Sequence, residues 1–264
     1  MKTTTPPLLF EPYLKRLGLR KRLKPNLANL GRLQKAHVLQ IPFENLDIHA
    51  RIPIELDIQR IYQKVILNKR GGFCYELNGL FYELLAHLGY EVRRVSARVY
   101  SVEKGYSPEF DHMALIVRIE GQEYLSDVGF GEFCFGPLAL HWPSQQLDPR
   151  GLFHVDEHPD DYICISKDDD KAQKFPEYKF KPIAREFGEF DHMCRYQQTD
   201  PNSHFMAKPL ISMATAKGRI TLAGQELKIR KGEKILVRKI ADSAAFSKAA
   251  WKYFRVKVPP LAST

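Results

Sequence analysis

Residues 70–78 read RGGFCYELN: two glycines run directly into a cysteine, and a helix-like pattern begins at it. Gly71 and Gly72 permit backbone angles that other residues avoid, so a tight turn can deliver Cys74 to the start of a helix. There the helix dipole lowers a thiol's pKa, and free backbone N–H groups can stabilise an oxyanion. A cysteine nucleophile needs a base, and the base needs an orienter. His112 opens the run HMALIVRIE and Asp127 sits in YLSDVGFG, on either side of a turn marked by Gly121. A two- or four-residue turn puts both side chains on one face of a sheet. The same register leaves them about four residues, roughly 13 Å, apart along the strand. A bulge, or a histidine in the loop before its strand, must then close the pair.

The other histidines compete poorly. His37, His49 and His87 lie in or near helices and read as surface or packing residues. His141, His154, His158, His192 and His204 lie in loop-like or linking segments with no matching acid on a neighbouring strand. The four cysteines, Cys74, Cys134, Cys164 and Cys194, form no CxxC pair and no compact Cys/His cluster, so no metal site is expected.

The elements that position these groups follow from periodicity. Pro25 can open a helix whose face carries Leu27, Leu30 and Val38. A second helix starts at Asp57, a good N-cap, with Ile58, Ile61 and Val65 at helical spacing. The third begins at Cys74, with Leu77, Leu80, Leu84 and Leu88 as its stripe and Gly89 at its C-terminal cap. From residue 91 the pattern changes to short β-branched runs, VRRVSARVYSV, HMALIVRIE, QEYLSDVGF and DYICISK. A linking helix is expected over about 183–197, then the strands RITLAG and QELKIRK and a final helix near ADSAAFSKAAWKYF. Helices, then strands, then a mixed tail argue for an α+β fold with segregated parts.

The chain has 264 residues, 44% of them hydrophobic, enough for a substantial core. No apolar run approaches the ~18–20 residues of a membrane span. The start MKTTTPPLLFEPYLKRLGL is a poor secretory signal, so a cytoplasmic location with reduced thiols is expected by default. A net charge of +9 favours anionic partners: nucleic acid, an anionic membrane or a phosphorylated small molecule. The densest basic run, LRKRLK at 19–24, has no interleaved aromatics and reads as a solvated face beside a helix.

PFENLD (42–47), RGGFCYELN (70–78), DHM (111–113), SDVGFG (126–131) and SHF (203–205) occur in this order. In order and spacing the chain resembles the arylamine N-acetyltransferases over roughly residues 10–225. The resemblance implies a helical bundle over 1–90 carrying the nucleophile and a central β-barrel over 91–182 carrying the histidine and aspartate. It implies a linking helix and C-terminal α/β lid over 183–264, with a cysteine-protease-like catalytic core. It also implies a Cys-His-Asp triad at Cys74, His112 and Asp127, like that of papain-type and transglutaminase-type enzymes. Phe43, Val99, Phe130 and Phe205 then line the acceptor pocket, and Glu44 and Arg70 form a supporting charged pair. Gly129, Gly131 and Ser203 fall where coenzyme A approaches. The implied reaction takes acetyl from acetyl-CoA, through a Cys74 thioester, to an arylamine, hydrazine or N-hydroxyarylamine. It needs no metal, nucleic acid or membrane. Many relatives have a second glycine after GFG where this chain has Glu132, a carboxylate that can weaken binding of a phosphorylated ligand or change acceptor choice. The residues themselves leave two alternatives: a cysteine hydrolase or transglutaminase-like enzyme with the same triad, and a non-enzymatic basic binding protein with a buried Cys74.

Overall fold

The computed structural model describes residues 8–19, 23–169 and 171–260. Arg20, Lys21 and Arg22 of the basic run lie outside the described residues. The N-terminal part holds α1 (Phe10–Arg16), α2 (Leu27–Gln40), strand β1 (Phe43–Glu44), α3 (Leu46–His49), α4 (Ile58–Tyr62) with a π-turn over Gln63–Leu67, and α5 (Cys74–His87). Asn26 rather than Pro25 caps α2, its side chain accepting from the Asn29 amide at 2.9 Å. The inward face of α2 is Leu30, Leu33, Gln34 and His37, while Leu27 is 41% exposed, so the expected apolar stripe is offset. Two buried polar side chains mask that face in the sequence. Gln34 donates to the Gly136 carbonyl at 2.8 Å and accepts from Ser126 at 2.7 Å. Burial pushes the His37 imidazole down to about 3 and keeps it neutral, with the Arg16 charge acting the same way. The Asp57 cap is as expected, accepting from the Arg60 amide at 3.0 Å. In α5, Leu77, Leu80 and Leu84 are fully buried, and Gly89 ends it with φ +88°.

Nine strands then form a single antiparallel sheet: β2 (Glu91–Ser101), β3 (Gly105–Tyr106), β4 (His112–Ile119), β5 (Gln122–Ser126), β6 (Leu138–Ala139), β7 (Ser144–Asp148), β8 (Gly151–His158), β9 (Tyr162–Asp168) and β10 (Lys174–Phe180). The order runs β6-β5-β4-β2-β10-β9-β8-β7, with β3 beside β2. The sheet curls until its two ends nearly meet. The side-chain amide of Gln146 in β7 accepts from the Ala139 amide of β6 at 2.8 Å and donates to its carbonyl at 2.9 Å. Thus Gln146 substitutes for a missing ladder rung in a nearly closed barrel whose interior is filled by Val95, Ala114, Ile116, Leu125, Phe153 and Tyr178.

The chain from 183 to 186 is extended, with the Arg185 amide donating to the Arg94 carbonyl, so the linking helix starts later than expected. A 3₁₀ turn (Phe187–Phe190) leads into α6 (Asp191–Thr199). A second 3₁₀ turn covers His204–Met206. An antiparallel meander follows: β11 (Leu210–Thr215), β12 (Gly218–Ala223), β13 (Glu226–Lys231) and β14 (Lys234–Lys239). Only β12 and β13 are expected from the sequence. Helix α7 (Ser243–Phe254), capped by Asp242, buries Phe246, Ala250 and Phe254 against this sheet. The N-terminal β1 completes it, pairing with β11, so the segment holding Phe43 and Glu44 is locked onto the C-terminal sheet. No helix among the described residues is long and apolar enough to cross a membrane.

Replacing Gln146 by Ala leaves the amide and carbonyl of Ala139 without partners. The expected loss is about 1–2 kcal/mol of unfolding free energy, read from urea denaturation with an unchanged m-value.

Candidate active site

The RGGF turn rests on buried charge. Arg70 donates to Glu44 at 2.8 Å and to Asp47 at 2.7 Å. Lys64 bridges Asp47 at 2.8 Å and Glu76 at 2.8 Å. Glu76 in turn accepts from the Phe73 amide at 3.1 Å, one residue before Cys74. Burial raises the Asp47 carboxyl, but the Lys64 and Arg70 charges outweigh it and hold the group below the usual range. Burial dominates at Glu76, which is pushed up. The expected Glu44–Arg70 pair is therefore part of a five-residue network under the turn.

The two glycines serve close approach rather than unusual torsions, because neither Gly71 nor Gly72 has positive φ. A Cβ on Gly71 would lie 2.1 Å from the Pro42 carbonyl oxygen, and one on Gly72 2.8 Å from Glu76 Cβ. The Gly72 carbonyl accepts from the Glu44 amide at 2.9 Å, so the turn is stitched to β1. This sets Phe73 as N-cap and Cys74 as the first residue of α5.

Asn78, one turn after Cys74 on the same helix, connects the three elements of the site. Its amide donates to the Met113 carbonyl at 2.6 Å and to Asp127 Oδ1 at 2.8 Å, and its oxygen accepts from the Val128 amide at 3.0 Å. Asp127, 1% exposed, also accepts from His112 Nε2 at 2.7 Å, Tyr178 Oη at 3.0 Å, and the Gly129 and Phe130 amides at 2.9 and 3.0 Å. Burial alone would raise this carboxyl. The charge and hydrogen bond of His112, with those from Asn78 and Gly129, outweigh it and hold Asp127 below its ordinary value. An ionised carboxylate only accepts, so the Nε2 that faces Asp127 carries a proton, and Nδ1 is the ring nitrogen left free of the carboxylate.

No bulge is needed to close the His112–Asp127 pair. The β4–β5 ladder is regular, with Leu115 opposite Ser126 and Ile119 opposite Gln122 across the Glu120–Gly121 turn. Extending that register places Asp127 opposite Ala114. His112, the first residue of β4, is two residues from that point on the same face, a diagonal neighbour within side-chain reach. The four-residue offset expected from sequence is thus corrected to two.

Cys74 is 3% exposed, and burial pushes its thiol well above the ordinary value. The carboxylates of Asp111 and Asp127 act in the same direction, and the Met113 amide opposes them. This reverses the expected lowering. Desolvation by burial is the largest influence on the thiol, and the enclosure disfavours a lone thiolate at this position.

Cys74 and His112 line one cavity of about 370 Å³ between the barrel and the C-terminal sheet. Phe43, Val99, Phe130 and Phe205 line it as well, as do Gly129 and Gly131. A Cβ on Gly129 would lie 2.8 Å from Cys74 Cα. Ser203 does not line it. Its hydroxyl donates within hydrogen-bond reach of Gln197 Oε1 at 2.6 Å and accepts from the Phe205 amide at 3.3 Å, so it fixes the turn that carries Phe205. Residues at the site that went unassigned in the sequence include Asn78, Tyr178, Asp111, His204 and Arg219. The spacing of Asn78 from Cys74 was a signal; Tyr178, on β10, gave none. His204 and Asp111 both line the cavity. His154 does have an acid on the neighbouring strand, Asp168 at 2.7 Å, but neither residue lines the cavity. Glu132 is not a free carboxylate: Arg150 holds it at 2.7 Å, and Arg230 also pairs with it.

An N-acetyltransferase family model matches residues 26–262. The chain belongs to the arylamine N-acetyltransferase family. It is 33% identical over 225 residues to the arylamine N-acetyltransferase of Mycolicibacterium smegmatis, covering 83% of this chain and 81% of that one. It is 31% identical over 242 residues to arylamine N-acetyltransferase 1 of Homo sapiens, covering 84% and 83%. The structure of Mycobacterium marinum arylamine N-acetyltransferase in complex with CoA superposes with a TM-score of 0.86 at 28% identity, over 94% of this chain and 92% of that one. This arylamine N-acetyltransferase family member is thus an acetyltransferase, with the family's mixed helix-and-sheet fold.

Asn78→Leu keeps the volume but leaves the Met113 carbonyl and Val128 amide buried without partners. A loss of roughly 2–4 kcal/mol in denaturant unfolding is expected. The depressed Asp127 carboxyl adds stability that is complete above its unfolded value of about 4 and is lost as pH falls through its lower folded value. The stability gap between wild type and Asp127→Asn, measured by urea unfolding, is therefore expected to be flat from about pH 5 to 7 and to narrow below about pH 4.

Proposed function

We propose that Cys74, His112 and Asp127 form a catalytic triad that moves acetyl from acetyl-CoA to an aromatic amine, hydrazine or N-hydroxyarylamine in two half-reactions. The observation that carries this reading is that His112, 2.7 Å from Asp127, lines the same cavity as Cys74. His112 Nδ1 takes the Cys74 proton, giving a thiolate–imidazolium pair of zero net charge. Such a pair is compatible with the desolvation that opposes a lone thiolate. Asp127 fixes the ring and stabilises its charged form. Cys74 attacks the thioester carbonyl, and backbone N–H groups at the start of α5 hold the oxyanion. His112 returns the proton to the departing coenzyme A sulfur, leaving acetyl-Cys74. The acceptor nitrogen or oxygen then attacks that thioester, His112 takes its proton, and Cys74 leaves as thiolate and recovers the proton.

Phe43, Val99, Phe130 and Phe205 supply an apolar acceptor pocket, which favours an aromatic amine over water in the second half-reaction. Gly129 and Gly131 leave the cavity wall open to the pantetheine arm, and Glu44 and Arg70 support the turn that presents Cys74. On this reading the catalytic core is cysteine-protease-like, and the division into helical bundle, barrel and lid at 1–90, 91–182 and 183–264 describes who supplies which group. The relative from M. marinum binds CoA, which supports coenzyme A as the donor carrier here.

Acetyl-CoA without an acceptor is expected to give a 1:1 acetyl adduct on Cys74 by mass spectrometry, discharged by 4-aminobenzoate or a hydrazine. Amide hydrolysis without an adduct would favour the hydrolase alternative and overturn the proposal. Iodoacetamide should label Cys74 rapidly near neutral pH in the wild type. In His112→Ala, where the buried thiol has lost its proton acceptor, labelling should be slow and rise only at alkaline pH. Asp127→Asn should lower turnover by about three to four orders of magnitude while retaining the fold.

A further inference from the structure

The rim of the cavity carries an unusual charge arrangement. Arg219 on β12 and Arg230 on β13 are directly opposite one another in the antiparallel ladder. Like charges in that position are destabilising. Arg150, in the turn between β7 and β8, reaches across from the barrel to the same place. Its guanidinium donates to the Gly218 carbonyl at 3.0 Å and to Glu132 at 2.7 Å, with a side chain only 6% exposed. Arg219 donates to Ser212 at 2.7 Å and to the Gly131 carbonyl. The buried Nε atoms of Arg150 and Arg219 have no partner among the described residues. Lys167 on β9 stands 3.5 Å from the Glu132 carbonyl.

Little negative charge balances these four cations. The charge of Asp148 acts on Arg150 and Lys167, but its oxygens accept from the backbone amides of Phe135, Gly136 and Arg150 rather than from a guanidinium. Burial pushes the Glu177 carboxyl up, against the Lys167 charge. Burial and the Arg150 charge together bring Arg219 down to about 10, as expected for crowded cations short of anions. Among the described residues Glu132 alone pairs its carboxylate with these arginines, and its side chain is 37% exposed on a loop without regular structure.

We propose that Arg150, Arg219 and Arg230 form a seat at the cavity rim for an oxyanion carried by a reactant, with Glu132 as its occupant in the ligand-free protein. The proposal rests on the acetyl-transfer reading, because that reading brings two anionic groups to this rim: a phosphate of the donor or a carboxylate of the acceptor. Arg219 and Glu132 line the cavity that holds Cys74, so an oxyanion bound here belongs to a molecule reaching the sulfur. The swap conserves charge balance: the incoming oxyanion takes the guanidinium hydrogen bonds, and Glu132 turns to solvent. Glu132, which from sequence alone reads as an obstacle to a phosphorylated ligand, becomes a placeholder that pairs the arginines until that ligand arrives.

The experiment is calorimetric binding to the full-length protein, with no turnover required. Coenzyme A is compared with pantetheine, and 4-aminobenzoate with aniline, on wild type, Arg230→Gln and Glu132→Gln. If the donor phosphate uses the seat, Arg230→Gln weakens coenzyme A about tenfold and leaves pantetheine unchanged, and Glu132→Gln tightens coenzyme A alone. If the acceptor carboxylate uses it, the same pattern appears for 4-aminobenzoate against aniline. Equal effects within both pairs, or no effect in either, overturn the seat. A failed acetyl adduct at Cys74 would overturn the proposed reaction and leave this binding result standing, so the two failures are distinguishable.

Discussion

Keeping an ionised carboxylate in the interior is the constraint on which this active site depends. A buried charge without partners costs several kcal/mol, and Asp127 meets that cost with donors from four separate places: the helix of Cys74 through Asn78, the strand of His112, the strand of Tyr178, and its own following loop at Gly129 and Phe130. The side-chain donors belong to three different elements, so satisfying one oxygen pair also fixes the positions of α5, β4 and β10. The geometry that orients the imidazole and the geometry that holds the helix against the barrel are the same hydrogen bonds. Stability and the orientation of the imidazole are therefore coupled at this residue, and a substitution there acts on both.

The same logic governs the thiol. A cysteine at a helix start in water would ionise more readily than usual. Here it is enclosed by Phe73, Tyr75 and Met113 and faces two carboxylates, so a lone thiolate is disfavoured. What the enclosure tolerates is a pair of zero net charge, the pair that the proposed mechanism makes with His112. The buried network from Glu44 to Glu76 bonds neither the Cys74 thiol nor the His112 ring. It secures the backbone turn from below, which is why glycines at 71 and 72 are required by crowding rather than by torsion.

The cavity is a product of assembly. Its walls come from the barrel, the C-terminal sheet and the turn at 204–206, and the sheets are held at their junction by Arg150 reaching to β12 and to Glu132. Because β1 from the N-terminal part completes the C-terminal sheet, Phe43 and Phe205 approach with ring centroids 5.9 Å apart although 162 positions separate them in the numbering, 205 minus 43. The pocket is apolar along Phe43, Phe130 and Phe205 and cationic where Arg219 lines it.

The sequence by itself determined the local features. The helix start at Cys74, the Asp57 cap, the Gly89 stop and the hairpin turn at Gly121 follow from residue preferences acting within a few positions, and the motif order pointed to the family. It did not determine which buried polar groups satisfy one another. Gln34 in place of an apolar residue hid the true face of α2, Tyr178 carried no signal of its bond to Asp127, and the cation that neutralises Glu132 lies 18 and 98 positions away, at Arg150 and Arg230. The rise in the Cys74 thiol, too, arises from enclosure by distant segments. Short-range torsional preference and periodicity are written in consecutive residues, whereas desolvation and charge pairing depend on what the finished fold brings within a few ångströms, and only the tertiary structure decides that.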